Sequence, residues 1–588
     1  MPQGRRKTPF SGKAKKEQLK LKKHRQGFTK PLLLESSGDE NLSNTSKLNY
    51  QSKKNPKTKV NRYALIFHKE TEEEIRQRKE IARQSLVPVA EEELEINGCD
   101  YYPKNLDFPK RPEWSYDLTK EQLDAKENKY FAEYLNAVEQ NFSSQDIGVF
   151  ELNLETWRQL WRVIEISDIL LYIVDIRFSA LMFPPSLYNY VTNDLKKEFI
   201  LVLNKIDLAP ASLVVAWKSY FQEKFPNIHI VMFTTLPGYN LIGNCSDKAG
   251  LQVRRRRGKI RMAAEGAQSL LEVCKSIVRD EVDLSSWENK IQEEMNLEFD
   301  ENEKVEVGEV IEQKIVDTGS FQHEKYKNGI LTIGCVGQPN VGKSSLMNAI
   351  KGKKVVSVSK TPGHTKHFQT IFLTPNVRLC DCPGLVFPSK VPKTLQVLMG
   401  NYPIAQLREP YTAVKYIAER LDLPKLLRIE HPDNDDSWSA MDICDGWAKK
   451  RGYLTAKAAR LDSYRAANSL LRMALDGKIC LCLRPPKYSS RIDFWSAHLE
   501  VQKVLWIQAK SEKEAKSEKE AKSEKEANFE HSDGSDSDDL FELEAGDQKA
   551  TASKNESSDD EDEENEDADE ESDEGIDSMT NKFAAIQE

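Results

Sequence analysis

Residues 337–344 read Gly337-Gln338-Pro339-Asn340-Val341-Gly342-Lys343-Ser344, a GxxxxGK[ST] loop suited to wrapping a chain of phosphates. Gly337 and Gly342 let the backbone turn so that successive N–H groups face an anion, and a following helix adds its positive end. Lys343 would neutralise the β and γ phosphates, the Ser344 hydroxyl would ligate magnesium, and Ser345 completes the contact set. About forty residues on, Asp381-Cys382-Pro383-Gly384 fits DxxG. Here Asp381 would hold the magnesium through a water and the Gly384 N–H would sense the γ phosphate. Alone, that tetrapeptide is also ordinary turn chemistry. Its distance from the phosphate loop gives it meaning.

Asn204-Lys205-Ile206-Asp207 supplies base selection. The Asp207 carboxylate offers two acceptors to the N1–H and exocyclic amine of guanine, whereas adenine would leave it desolvated and unpaired, so guanine is favoured. Lys205 would lie along the purine face. Two elements are fainter. Thr234-Thr235 occupies the place of a loop that touches guanine O6, although the usual alanine is absent. Thr361-Pro362-Gly363-His364-Thr365 is a candidate switch I segment in which Thr365 closes onto magnesium, with a plain turn as the competing reading.

These residues need strands to carry them. Apolar runs at 169–174, 199–203 and 228–233, a helical run at 154–166 and a helical segment near 212–225 form one block. Strands at 330–336, 368–373 and 377–380, with a helix over 343–350, form a second. Continuous apolar strands alternating with helices predict an α/β fold, a doubly wound and mostly parallel sheet of about six strands. Residues 237–328 fit neither block and read as an insertion, helical over 267–278, with basic Arg254 to Arg257 and an acidic stretch at 298–312.

The order of the motifs is unusual. In most GTPases the phosphate loop opens the domain and NKxD closes it, but here NKID comes about 130 residues earlier. NKxD, phosphate loop, PGxT, DxxG in that order resembles the circularly permuted GTPases of the YlqF/YawG type. The runs Asn153-Leu154-Glu155-Thr156-Trp157-Arg158-Gln159-Leu160-Trp161-Arg162, Val174-Asp175-Ile176-Arg177 and Arg451-Gly452-Tyr453 are similar to its eukaryotic branch, over about residues 62–490. That resemblance implies binding of GTP and GDP with Mg2+, slow hydrolysis, and work in ribosome assembly or nuclear export. Two departures bear on catalysis. Leu385 follows DxxG, so no glutamine stands there to orient water. Relatives of this kind are thought to use K+ held by a phosphate-loop asparagine, which Asn340 matches. The histidine of bacterial members has no counterpart, since no histidine lies between His68 and His229. The catalytic set is then Lys343, Asn340, Thr365 and Gly384, and the expected rate is roughly one turnover per hour to one per minute.

Permutation places the DxxG strand last, so switch II runs directly into the helices after Gly400. The organisation read from the chain is a basic tail at 1–61, an accessory N-terminal region at 62–145, the permuted GTPase domain at 146–400, a helical C-terminal domain at 401–490, and a repeat spacer with acidic tail at 491–588. Basic Lys449, Lys450, Arg451, Lys457, Arg460, Arg465 and Arg472, with Trp447 and Tyr453 interleaved, form an RNA-contacting face or a plain solvated one.

Composition sets the surroundings. The 588 residues carry a net charge of −9, with 30% charged and 39% apolar residues. The first thirty are basic, whereas about 529–578 is mostly Asp, Glu and Ser, so the ends attract opposite partners. The lysine run reads as an address for the nuclear import machinery, nucleus or nucleolus, or as an rRNA-binding arm. Serines 532, 535, 537, 557 and 558 beside acids suit phosphorylation. No apolar run approaches a membrane span, no secretory leader is expected, and the chain is expected to be a monomer. Nine cysteines show no zinc spacing, and Cys380/Cys382 and Cys480/Cys482 alternate as if on strands. Two functions remain open: a nucleotide-gated assembly GTPase acting on an RNA or ribosomal particle, or a regulatory GTP-binding protein with negligible hydrolysis and no RNA partner.

Overall fold

The computed structural model describes residues 71–509 apart from 116, 144–145, 236–263, 297–323, 353–354, 357–368, 434, 436 and 456–458. The switch I candidate with Thr365, the basic cluster at 254–257, Lys457 and both tails therefore lie outside the described residues.

Six strands form one sheet: β1 (Ile169–Asp175), β2 (Glu198–Asn204), β3 (His229–Met232), β4 (Leu331–Gly337), β5 (Gln369–Thr374) and β6 (Val377–Asp381). Their order is β3-β2-β1-β4-β6-β5. Every neighbouring pair is parallel except the β5/β6 hairpin. This is the expected doubly wound α/β fold. β1 and β4 are buried along their whole length, as strands covered on both faces must be, and their Ile, Leu and Val content suits that position. The chain lays down β1, β2 and β3 in one direction, then restarts on the other side of β1 with β4. That reversal makes the carboxyl ends of β1 and β4 the topological switch point, where such sheets bind ligands.

In chain order the longer helices are α1 (Glu72–Arg83), α2 (Lys120–Asn141), α3 (Leu154–Ile166), α4 (Ala211–Lys224), α5 (Ala264–Val278), α6 (Ser285–Asn296), α7 (Lys343–Lys351), α8 (Lys393–Leu398), α9 (Tyr411–Ala418), α10 (Ala440–Arg451), α11 (Ser463–Leu475) and α12 (Glu500–Ala509). α1 and α2 start on capping boxes, Thr71 with Glu74 and Thr119 with Gln122, which satisfy N–H groups that the first turn would leave open. α2 is held to α3 by Glu127, which pairs with Arg158 at 2.7 Å and Arg111 at 3.0 Å. On one face of the sheet, aromatic rings from several segments interlock: Trp157 with Phe387 at 5.6 Å, Tyr172 with Phe387 at 6.2 Å, and Phe183 with Phe221 at 5.3 Å. Trp217 on α4 is fully buried and its indole N–H donates to Leu483 O, so truncation to alanine would cost about 3–5 kcal/mol.

The stretch read as an insertion contributes to this core. α5 packs on β3 and α6 on β5. Leu270, Leu271, Cys274, Trp287 and Ile291 are buried, and a side chain at Gly266 would collide with Phe233 at 2.5 Å. α9, α10 and α11 make up a helical region after the sheet. Helical structure continues past residue 490 through Ile492–Ser496 and α12, where Val504 and Ile507 are buried.

One local expectation is corrected. Cys480 and Cys482 do not lie on a strand, because their segment joins no ladder. Leu483 N–H bonds to Arg177 O and Arg484 N–H to Leu94 O, two separate anchors. The described cysteines are all free thiols. No helix among the described residues is long and apolar enough to cross a membrane.

Candidate functional site

β4 runs straight into the glycine loop, and α7 starts at Lys343. Glycine is required at two points. A Cβ on Gly337 would sit 2.5 Å from Ile173 O of β1, and one on Gly342, whose φ is +97°, would sit 2.6 Å from Asn204 Nδ2. Asn340 also has a left-handed φ of +57°, which asparagine tolerates better than most residues. Lys343 is buried, and its ammonium donates to the carbonyls of Gly337 at 3.0 Å and Gln338 at 2.8 Å. Burial pushes its pKa down, and nearby Asp381 pulls it back up.

Asp381 ends β6 beside β4, with Oδ2 accepting from Ser344 Oγ at 2.9 Å. Its buried Oδ1 has no hydrogen-bond partner among the described residues. Burial raises the carboxyl to about 6, against the pull of Lys343 and the Ser344 bond. A buried carboxylate oxygen with nothing to bind, beside a hydroxyl at the start of the helix, suits a hard divalent cation, so Ser344 and Asp381 fit Mg2+. The Asp381-Cys382-Pro383-Gly384 turn folds onto the loop: a Cβ at Gly384 would touch Pro339 Cα at 2.8 Å and Lys343 Nζ at 3.2 Å.

Asn204-Lys205-Ile206-Asp207 meets the same loop from the other side. Asn204, the last residue of β2, donates through Nδ2 to Val341 O at 2.7 Å. Lys205 turns the chain with a φ of +59°, and its ammonium donates to Asn340 O at 2.6 Å and Asp175 Oδ2 at 2.8 Å. Asp207 is buried, and Oδ1 accepts from Thr234 Oγ1 at 2.8 Å. Thr235 follows, half-buried. The phosphate loop, Asp381 to Gly384, NKID and Thr234 thus converge at the carboxyl ends of the strands. Only Thr365 lies outside the described residues.

Several participants carried no assigned role in the sequence reading. Asp175 ends β1 in register with Asn204. Its carboxylate accepts from Lys205 and from Arg177, whose Nε and Nη2 lie 3.0 and 2.8 Å away. Against the cost of burial, these two cations hold the Asp175 carboxyl well below the usual range. Arg177 also donates to Ala474 O near the end of α11, tying the site to the helical region. Its text was visible in Val174-Asp175-Ile176-Arg177, but its partner is 297 residues away. The phosphate loop makes two similar ties. Asn340 Nδ2 donates to Gly400 O at 2.8 Å, and Gln338 Oε1 accepts from Asn401 Nδ2 at 2.6 Å.

The chain matches several known proteins. Residues 332–416 match the family model for the 50S ribosome-binding GTPase, a span that starts in β4 and contains the phosphate loop and Asp381 but not NKID. Guanine nucleotide-binding protein-like 1 of Mus musculus is 46% identical over 545 residues, covering 86% of this chain and 90% of that protein. The Homo sapiens protein of the same name matches at the same identity and coverage. Large subunit GTPase 1 of Saccharomyces cerevisiae is 33% identical over 401 residues, 65% of this chain and 58% of that protein. Among solved structures, GNP-bound YlqF from T. maritima matches at 17% identity with a TM-score of 0.32, over 56% of this chain and 98% of that one. With its motif order, its sheet and its near-full-length similarity taken together, the chain belongs to the circularly permuted P-loop GTPases, in the guanine nucleotide-binding protein-like 1 family.

Proposed function

We propose that this chain is a slow GTPase whose nucleotide state controls docking on a ribosomal particle. The observation that carries the reading is the double tie of the phosphate loop to the segment between α8 and α9 that leads into the helical region, Gln338 to Asn401 and Asn340 to Gly400. A loop that must rearrange around phosphates can thereby move the helices that follow it, without acting through switch II alone. Gln338, Pro339, Asn340, Val341 and Gly342 would cradle the phosphates, and Lys343 would release its two carbonyls to meet them. Asp207 would read guanine, with Thr234 and Thr235 beside the base and Cys382 and Pro383 completing the turn that presents Gly384. Ser344, Asp381 and Thr365 would hold Mg2+, which supplies charge neutralisation at the β and γ phosphates.

Slow turnover is supported by Leu385. It is buried, and its N–H donates to Gly337 O, so nothing at this position can orient water. Asn340 uses its amide nitrogen on Gly400, leaving Oδ1 as the atom for a K+ ion. The docking face would be the exposed Lys449, Arg460, Arg465 and Arg472, with Arg465 stacked over Tyr453 at 4.6 Å. The name of the yeast relative, Large subunit GTPase 1, supports a ribosomal target. The basic tail supports a nuclear or nucleolar address read by import machinery, with shuttling to the cytoplasm, and the acidic tail supports phosphorylation.

Salt-sensitive co-sedimentation with ribosomal particles tests this reading. The wild-type chain should co-sediment with a non-hydrolysable GTP analogue and dissociate with GDP, whereas Lys343→Ala should fail to bind in either state. Association in neither nucleotide state for the wild type would instead leave the regulatory reading without an RNA partner.

A further inference from the structure

α12, which lies about 300 residues beyond NKID, reaches back to the base-selecting loop. Gln508 is 2% exposed, and its Nε2 donates to Ile206 O at 2.7 Å and Ala209 O at 3.0 Å. Those two carbonyls bracket the turn that contains Asp207. Between them, Leu208 O faces the thiols of Cys480 at 3.5 Å and Cys482 at 3.3 Å. The rear of the loop is thus bonded by three side chains from the last part of the described chain.

We propose that Gln508 is a positioning residue for guanine selection, holding the Ile206 to Ala209 turn so that Asp207 faces the base. The proposal rests on reading NKID as the guanine selector. Its chemistry is specific to an amide: one nitrogen carries two N–H groups and spans two carbonyls, which neither a carboxylate nor a methyl group can do. The helix that presents it is fixed independently. Val504 and Ile507 are buried, and Glu500 pairs with Lys218 of α4 at 2.6 Å. α4 itself begins at Ala211, just after the turn, so loop and brace share one support. On the front of the loop, Thr234 holds one Asp207 oxygen, so the turn is clamped from both sides. Without Gln508, two buried carbonyls lose a strong donor and the turn relaxes toward whatever donors it can find.

The test separates base reading from phosphate binding by comparing GTP with ITP, which lacks the exocyclic amine that Asp207 accepts. In the full-length protein, Gln508→Ala and the near-isosteric Gln508→Glu should weaken GTP by roughly tenfold. ITP, which keeps the N1–H but lacks the amine, should weaken less than GTP, so the GTP-to-ITP affinity ratio falls toward one. Thermal unfolding accompanies each measurement, because general destabilisation would weaken both nucleotides together. A GTP-to-ITP ratio equal to that of the wild type in folded Gln508→Glu overturns the proposal. Asp207→Asn serves as the reference: if it leaves the ratio unchanged, the NKID reading itself fails, whereas a changed ratio there with an unchanged one in both Gln508 variants removes only the brace.

Discussion

The phosphate half of the site and the base half are built differently. In the phosphate half, the residues assigned to phosphate and magnesium come from β4, the glycine loop, α7 and β6, within about fifty residues of one another, and the constraints on them are mostly backbone: Gly337 against Ile173, Gly384 against Pro339, and a lysine bonded to carbonyls of its own loop. In the base half, NKID depends on distant chain. Lys205 leans on Asp175, Asp175 on Arg177, and Arg177 on the end of α11, while the turn around Asp207 is backed by Gln508 and two thiols. Permutation accounts for the difference. Here the base motif opens the domain, so the chain that closes over it comes from the far C-terminal region.

This contrast can be broken most forcefully at Arg177. Replacing it with methionine leaves the buried Asp175 carboxylate without its bidentate partner and should cost about 3–5 kcal/mol in urea unfolding. A loss below about 1 kcal/mol would show that the base half does not depend on this link. Gly342→Ala strikes the joint between the halves, combining left-handed strain with a clash against Asn204. It should lower GTP affinity roughly tenfold to a hundredfold in a fluorescent-nucleotide titration.

The halves should also differ in pH response, since the Asp381 carboxyl is raised to about 6 whereas Asp175 is held low. Magnesium-dependent GTP affinity needs ionised Asp381, so it should fall by about tenfold per unit below that pH. In nucleotide-free protein the sign reverses. A carboxyl that binds its proton more tightly when folded contributes less to stability as pH rises from its unfolded value through about 6. A GTP affinity flat between pH 7 and 5 would contradict this placing of Asp381. The smallest effect is expected at Asn340→Ala, which removes one bond to Gly400, about 1 kcal/mol of stability, and any stimulation of hydrolysis by K+. A rate that still rises with K+ in this variant would remove Asn340 from the ion's coordination.

Legibility in the sequence divided instead between local motifs and distant supports. The phosphate loop, DxxG turn and NKID, with strands on either side, could be read because each is a local spacing set by a local task. Strand boundaries agreed with the structure to within a residue or two for the same reason: buried parallel strands announce themselves as unbroken apolar runs. The distant supports could not be read. Arg177 looks like any charge after a strand until Ala474 is known to face it. Gln508 sits immediately before the Ala-Lys-Ser-Glu-Lys-Glu repeats and reads as part of their spacer, although Val504 and Ile507 mark a buried face of α12. α6 is equally quiet in the sequence, although Trp287 and Ile291, four apart, mark its buried stripe. Cys480 and Cys482 imitated a strand because two-residue alternation also arises in an extended segment that caps another loop.

The most direct measurement is the affinity of purified wild type and Asp207→Asn for GTP and XTP, side by side. The account predicts that wild type prefers GTP and that Asp207→Asn loses about a hundredfold for GTP while gaining for XTP, because the amide donates where the carboxylate only accepted. Unchanged GTP affinity in Asp207→Asn would show that NKID, despite its place beside the phosphate loop, does not read the base.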